Sequence, residues 1–154
     1  YTVRWNALQE RYKDLPKERV VFQSDFSSNE TVYSADVLIS DWSGIAFEYA
    51  FATQKPVLFI DTPMKVSNPE YAEVITTPLN LTLRGEIGVR LPPEQADRAG
   101  QEVSKLLEQA DVYAQRIGQL TDEYLYNMGC SGEVGGKYIL RKLKKRAKQK
   151  NTPV

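Results

Sequence analysis

Residues 36–61 read DVLISDWSGIAFEYAFATQKPVLFID. The apolar run 37–39 predicts a strand over residues 37–40. Ser40, Asp41, Trp42, Ser43 and Gly44 form a polar turn; residues 45–53 then predict a helix, and 56–61 a second apolar strand. Strand, turn, helix and strand in so short a span make one parallel β-α-β unit, so the sequence predicts an α/β fold. The turn falls at the carboxyl end of the first strand, where open α/β sheets place their ligands. It also falls at a helix N-terminus, where unpaired N–H groups and the positive end of the helix dipole favour an anion. A phosphate is the natural guest.

The residues around the turn suit such a guest. Ser40, Ser43 and the N–H groups of Gly44 and Ile45 can donate hydrogen bonds to phosphate oxygens, and Gly44 lets backbone approach a ligand closely. Glu48 lies four residues after Gly44, on the same helix face. Helical side chains lean towards the N-terminus, so Glu48 points back at the turn. A carboxylate there repels phosphate but accepts well from sugar hydroxyls. Phosphate at the turn and ribose at Glu48 would form a nucleotide-shaped pattern. The plainer alternative is that Ser43 caps the helix and Glu48 is a surface residue.

The rest of the chain alternates in the same way. Helix is predicted over 5–13, a short β run over 20–23, and a helix over 29–34 after the cap cluster Ser27-Ser28-Asn29. Beyond the central unit come a helix over 66–72, a loop over 76–86 and a strand over 88–91. A helix opening at Pro92-Pro93 runs to about residue 109, another spans 111–126, and the last begins at Gly132 or Glu133. The C-terminal third is nearly all helical, so the sheet must come from the first ninety residues.

With 154 residues, 42% of them hydrophobic, the chain can bury one domain's core. The single cysteine, Cys130, permits no intrachain disulfide and fits a reducing compartment. No apolar run approaches the roughly 20 residues of a membrane span. The chain opens on Tyr1 rather than Met and reads as part of a longer protein. Its formal charge is zero, yet all twenty acidic residues precede Arg141 and seven of the twenty basic residues follow Leu140. Residues 1–140 thus carry −7 and the tail 141–154 carries +7, which divides the sequence into a domain and a basic tail. Such a tail is either a solvated helix end or a contact for an anionic membrane surface. Nucleic acid is not expected, because no aromatics interleave the basic residues.

The segment 36–61 is similar to the donor-site segment of the CDP-glycerol glycerophosphotransferase family, whose members build teichoic-acid-like polymers. That family shows a DVLITDYSS-type motif, an acidic residue in the following helix, and then KP before an apolar strand. Asp36, Ser40, Asp41, Trp42, Ser43, Glu48, Lys55 and Pro56 hold those places here. The stretch 124–140, YLYNMGCSGEVGGKYIL, resembles the end of such enzymes. The resemblance implies a Rossmann-like domain forming the C-terminal half of a GT-B transferase. It implies a nucleotide-activated donor such as CDP-glycerol, and a polymer or lipid-linked acceptor held by an N-terminal half absent from this sequence. The basic tail would keep such an enzyme in the cytoplasm at the inner face of the cell membrane, and no cofactor and no metal are expected, because the helix dipole does part of a metal's work.

Residue chemistry and resemblance together assign the donor and phosphate site to Ser40, Asp41, Ser43, Gly44, Glu48 and Arg84. Trp42 stands where the family more often has Tyr, and Gly44 where it often has Ser. Gly44 with Glu48 leans towards nucleotide-sugar glycosyltransferases and epimerases, so that donor class stays open. A non-catalytic α/β binding module stays open as well, although the acidic trio of a receiver domain is missing. The sequence contains no histidine, so the usual general base near neutral pH is absent and the catalytic residues stay unassigned. The chain alone is expected to be inactive.

Arg84, in LRGEIG, is either a phosphate-binding fork or a surface arginine. Lys65 and Asn68 open the loop after the second strand, where Lys65 could meet a phosphate. Ser131 and Gly132 are either a second anion-binding turn or an ordinary cap. Asp61 is either a lone strand-end carboxylate or a ligand to a divalent metal, the second a weak reading. Tyr113, Tyr124, Tyr126 and Tyr138 read as packing residues, and Cys130 lacks a histidine to activate it as a nucleophile.

Overall fold

The computed structural model describes residues 2–24, 30–64, 66, 68–73 and 76–150, with side chains to residue 147. The Ser27-Ser28-Asn29 cluster and Lys65 lie outside the described residues. The chain divides into two compact units, Tyr1–Ser34 and Ala35–Val154.

The first unit contains helices α1 (Thr2–Tyr12) and α2 (Glu30–Ser34). Neither helix buries a residue. Trp5 and Phe22 meet edge to face, with ring centroids 5.6 Å apart. The β run expected over 20–23 is not a strand. Among the described residues no neighbouring strand pairs with it, and a lone β run does not satisfy its backbone.

The second unit is Rossmann-like: a three-stranded parallel sheet flanked by helices. Strands β1 (Leu38–Ser40), β2 (Val57–Ile60) and β3 (Gly88–Leu91) pair in that spatial order. Leu38, Ile39 and Ser40 lie beside Val57, Leu58 and Phe59. Val57 to Ile60 in turn lie beside Gly88 to Leu91, residue for residue. Helix α3 (Ile45–Thr53) connects β1 to β2. A single turn of helix, α4 (Leu79–Thr82), interrupts the expected loop 76–86. Ser67 lies outside the described residues; of the helix expected over 66–72, the described residues form a 3-10 turn, Tyr71–Glu73. A 3-10 segment, Pro93–Arg98, leads into α5 (Ala99–Glu108); α6 (Ala110–Tyr124) and α7 (Ser131–Lys150) complete the chain.

Strand β2 is central, and Val57, Leu58 and Phe59 are wholly buried. That explains its unbroken apolar run, since a central parallel strand is covered on both faces. Successive strand side chains face opposite ways. Leu58 packs with Leu91 of β3 and Leu106 of α5, with Val103 and Tyr113 around them. Phe59 approaches Phe47 of α3, with ring centroids 6.2 Å apart. Helix α3 turns Ala46, Tyr49 and Ala50 inward. Tyr49 donates to the Ala35 carbonyl at 2.9 Å, and burial pushes its phenol pKa up to about 12. Lys55 Nζ donates to the same carbonyl and to Asp36 Oδ1, so these two motif residues fasten the start of β1, at the far end from the turn.

Tyr113 packs as expected, whereas Tyr126 and Tyr138 are exposed. The basic residues after Leu140 continue the helix that starts at Ser131.

Candidate functional site

Strand β1 ends at Ser40 and α3 begins at Ile45, so the turn stands at the carboxyl edge of the sheet. Gly44 occupies the N-cap position with φ −61° and ψ −27°. The helical ladder starts when Ala46 N–H donates to the Ser43 carbonyl at 3.3 Å. Phe47 and Glu48 N–H both donate to the Gly44 carbonyl, at 3.0 and 3.3 Å. The amides of Ala46, Phe47 and Glu48 are thereby used. Among the described residues, the amides of Asp41, Trp42, Ser43, Gly44 and Ile45 have no partner within the chain. Ser43 makes no capping bond, so the plainer reading of that residue is not realised.

Peptide planarity gives these amides a direction. In a trans peptide the C=O of one residue and the N–H of the next point opposite ways. The Ser43 and Gly44 carbonyls point along the helix, towards Ala46 and Phe47. The N–H groups of Gly44 and Ile45 therefore point back out of the helix N-terminus. Asp41, Ser43, Gly44 and Glu48 are exposed and Ser40 is half-buried, so the five residues expected at the turn are together and accessible. Gly44 and Glu48 share the exposed face of α3.

Arg84 also reaches the turn, but from beneath it. It is only 2% exposed. Its Nη1 donates to the Asp41 carbonyl at 2.8 Å, and its Nη2 to Asp61 Oδ1 at 2.6 Å. The guanidinium carbon lies 3.9 Å from the centre of the Trp42 ring and 4.2 Å from that of Phe59. It is thus neither a surface arginine nor a fork turned to solvent. Its Nε is buried without a hydrogen-bond partner. Leu83 and Ile87, both buried, fix the backbone on either side of it.

Asp61 is not a lone carboxylate. Its second oxygen accepts from Arg90 Nε at 2.7 Å. Burial pushes its carboxyl pKa up, but the hydrogen bonds and charges of Arg90 and Arg84 outweigh that and hold it below the usual carboxylate value. Trp42 donates its indole N–H to the Thr62 carbonyl at 2.7 Å. On the side of the loop after β2, Trp42 also borders an open groove of about 300 Å³, between Met64, Tyr71, Pro78 and Leu81. Asn68 is turned to its own loop, accepting from the Glu70 amide at 3.0 Å. Sequence reasoning missed Trp42 and Asp61 as supports of the turn. The signal was a strand-end carboxylate together with an arginine set between apolar residues in LRGEI.

Ser131 opens α7 after a turn with Asn127 and Gly129 in left-handed conformations, away from these residues in sequence. Among the described residues no cluster of three or more acidic, histidine or cysteine side chains could hold a metal ion. No helix among them is long and apolar enough to cross a membrane.

Fold and site together define a Rossmann-like α/β domain with an open amide turn at its sheet edge. Residues 6–66 match the family model described as CDP-Glycerol:Poly(glycerophosphate) glycerophosphotransferase, the family that the sequence resembles. The match includes β1, the turn, α3 and β2, and stops before Arg84. No curated protein and no solved structure matches the chain.

Proposed function

We propose that this chain is the donor-binding part of a glycerophosphotransferase-type enzyme, with a CDP-glycerol-like molecule as its donor. One observation carries the proposal: five successive amides, residues 41–45, are left without partners inside the segment that matches the family. Unpaired amides at a helix N-terminus are a site for the donor's pyrophosphate. As the bond to the transferred polyol phosphate breaks, charge develops on the leaving nucleotide phosphate. Fixed N–H donors stabilise that charge with little reorganisation.

Serine hydroxyls at 40 and 43 add donors, and Glu48 accepts from a sugar hydroxyl. Glu48 is also what favours a second reading, a GT-B enzyme using a nucleotide-sugar. The reaction's base lies outside the residues assigned to the turn, and the acceptor, a polymer or lipid-linked primer, is held by a further domain. The basic residues of α7 run beside exposed Ile139, Leu140 and Leu143. That combination supports peripheral contact with the anionic inner face of a membrane.

Calorimetric titration with CDP, CMP, UDP and UMP tests the proposal. Diphosphates are expected to bind more tightly than monophosphates, and CDP more tightly than UDP. Absence of binding by all four would refute it.

A further inference from the structure

We propose that Arg84 is the positioning residue of the donor site. It aims one amide of the turn at the ligand without touching the ligand itself. The proposal rests on the donor-site reading above and assigns a specific task within it.

The amides of Gly44 and Ile45 are aimed by the helix, whose own hydrogen bonds orient the preceding carbonyls. The amide of Trp42 has no such help, because its peptide lies between strand and helix. The Asp41 carbonyl of that peptide is instead drawn inward by Arg84 Nη1, at 2.8 Å. The Trp42 N–H, trans across the same plane, must then point away from Arg84 and out of the protein. One buried side chain thereby sets the orientation of a peptide that no regular structure holds.

The guanidinium is itself fixed on three sides. Asp61 Oδ1 holds Nη2, and the rings of Trp42 and Phe59 lie close to its central carbon. A rigid planar fork can satisfy the carbonyl and the carboxylate at once while packing against aromatic rings; an ammonium cannot. Asp61 also binds Arg90, whose side chain is half exposed, so the carboxylate that holds Arg84 is itself held from the other side.

The test uses the full chain, labelled with nitrogen-15, with CDP as the probe. Arg84→Lys keeps a charge near Asp61 but loses the fork. In the ligand-free variant the Trp42 amide resonance is expected to move and its exchange with solvent to change, while Gly44 and Ile45 stay close to their wild-type positions. CDP affinity is expected to fall about tenfold, the equivalent of one hydrogen bond to a charged group. CDP should then still shift Gly44 and Ile45 but no longer Trp42. Asp61→Asn, which loosens the clamp while keeping its shape, should give the same pattern more weakly, and it decides the matter if Arg84→Lys does not fold. A folded Arg84→Lys protein with an unmoved Trp42 amide and unchanged CDP affinity would overturn the proposal. If the wild type does not respond to CDP at all, the donor-site reading fails; the ligand-free Trp42 resonance of the variant then still decides whether Arg84 aims that peptide.

Discussion

At Gly44 a structural role and the proposed ligand-binding role can be told apart. The glycine's backbone is right-handed helical, a conformation open to any residue, and a Cβ built there meets nothing within 4 Å. Nothing inside the chain requires glycine at this position. Gly44→Ala should therefore raise stability, by about 0.5 kcal/mol through a less flexible unfolded chain. The same methyl group would stand among the free amides and should weaken CDP binding about tenfold. Thermal melting with a parallel titration checks both, and an alanine variant that binds CDP as well as the wild type would remove Gly44 from the site. Arg84 shows where reading residues one at a time fails. Its chemistry was legible as a fork, but its direction depends on Asp41, Asp61, Trp42 and Phe59, which are 23 to 43 positions distant where hydrogen bonds join them. No local pattern encodes that meeting.

Among the elements, the β-α-β unit was the most legible. The helix expected over 45–53 is α3 itself, and the strand expected over 88–91 is β3 itself. Apolar runs bounded by polar or Pro residues were enough to define them. The 20–23 run and the 66–72 helix were less legible, because neither has a packed apolar face to offset its ordering. The sheet also depends on a feature visible only in three dimensions. A Cβ on Gly88 would lie 1.7 Å from the Val57 carbonyl oxygen, so β3 can pair with β2 only where residue 88 has no side chain. Gly88→Ala should thus cost about 3 kcal/mol, by forcing the two backbones apart. Urea unfolding measures this, and a variant as stable as the wild type would contradict the pairing.

For the whole molecule, the sequence announced an α/β domain with a polar turn at residues 40–44, and the structure has that turn at the carboxyl edge of the sheet. The charge asymmetry was equally plain, and the described basic residues after Leu140 lie on the last helix, as the solvated-helix-end reading has them. What could not be read was the layer beneath the site, where Arg84, Asp61 and Arg90 form a network assembled from three separate segments. The central claim is that the amides of Trp42, Gly44 and Ile45 receive the phosphates of a nucleotide donor. Backbone amide shifts of the labelled chain, followed as CDP is added, test it most directly. The account predicts saturable shifts concentrated at Trp42, Gly44 and Ile45, with smaller ones at Glu48. A shift map that leaves those residues unmoved, or that centres on the turn before α7, would contradict it.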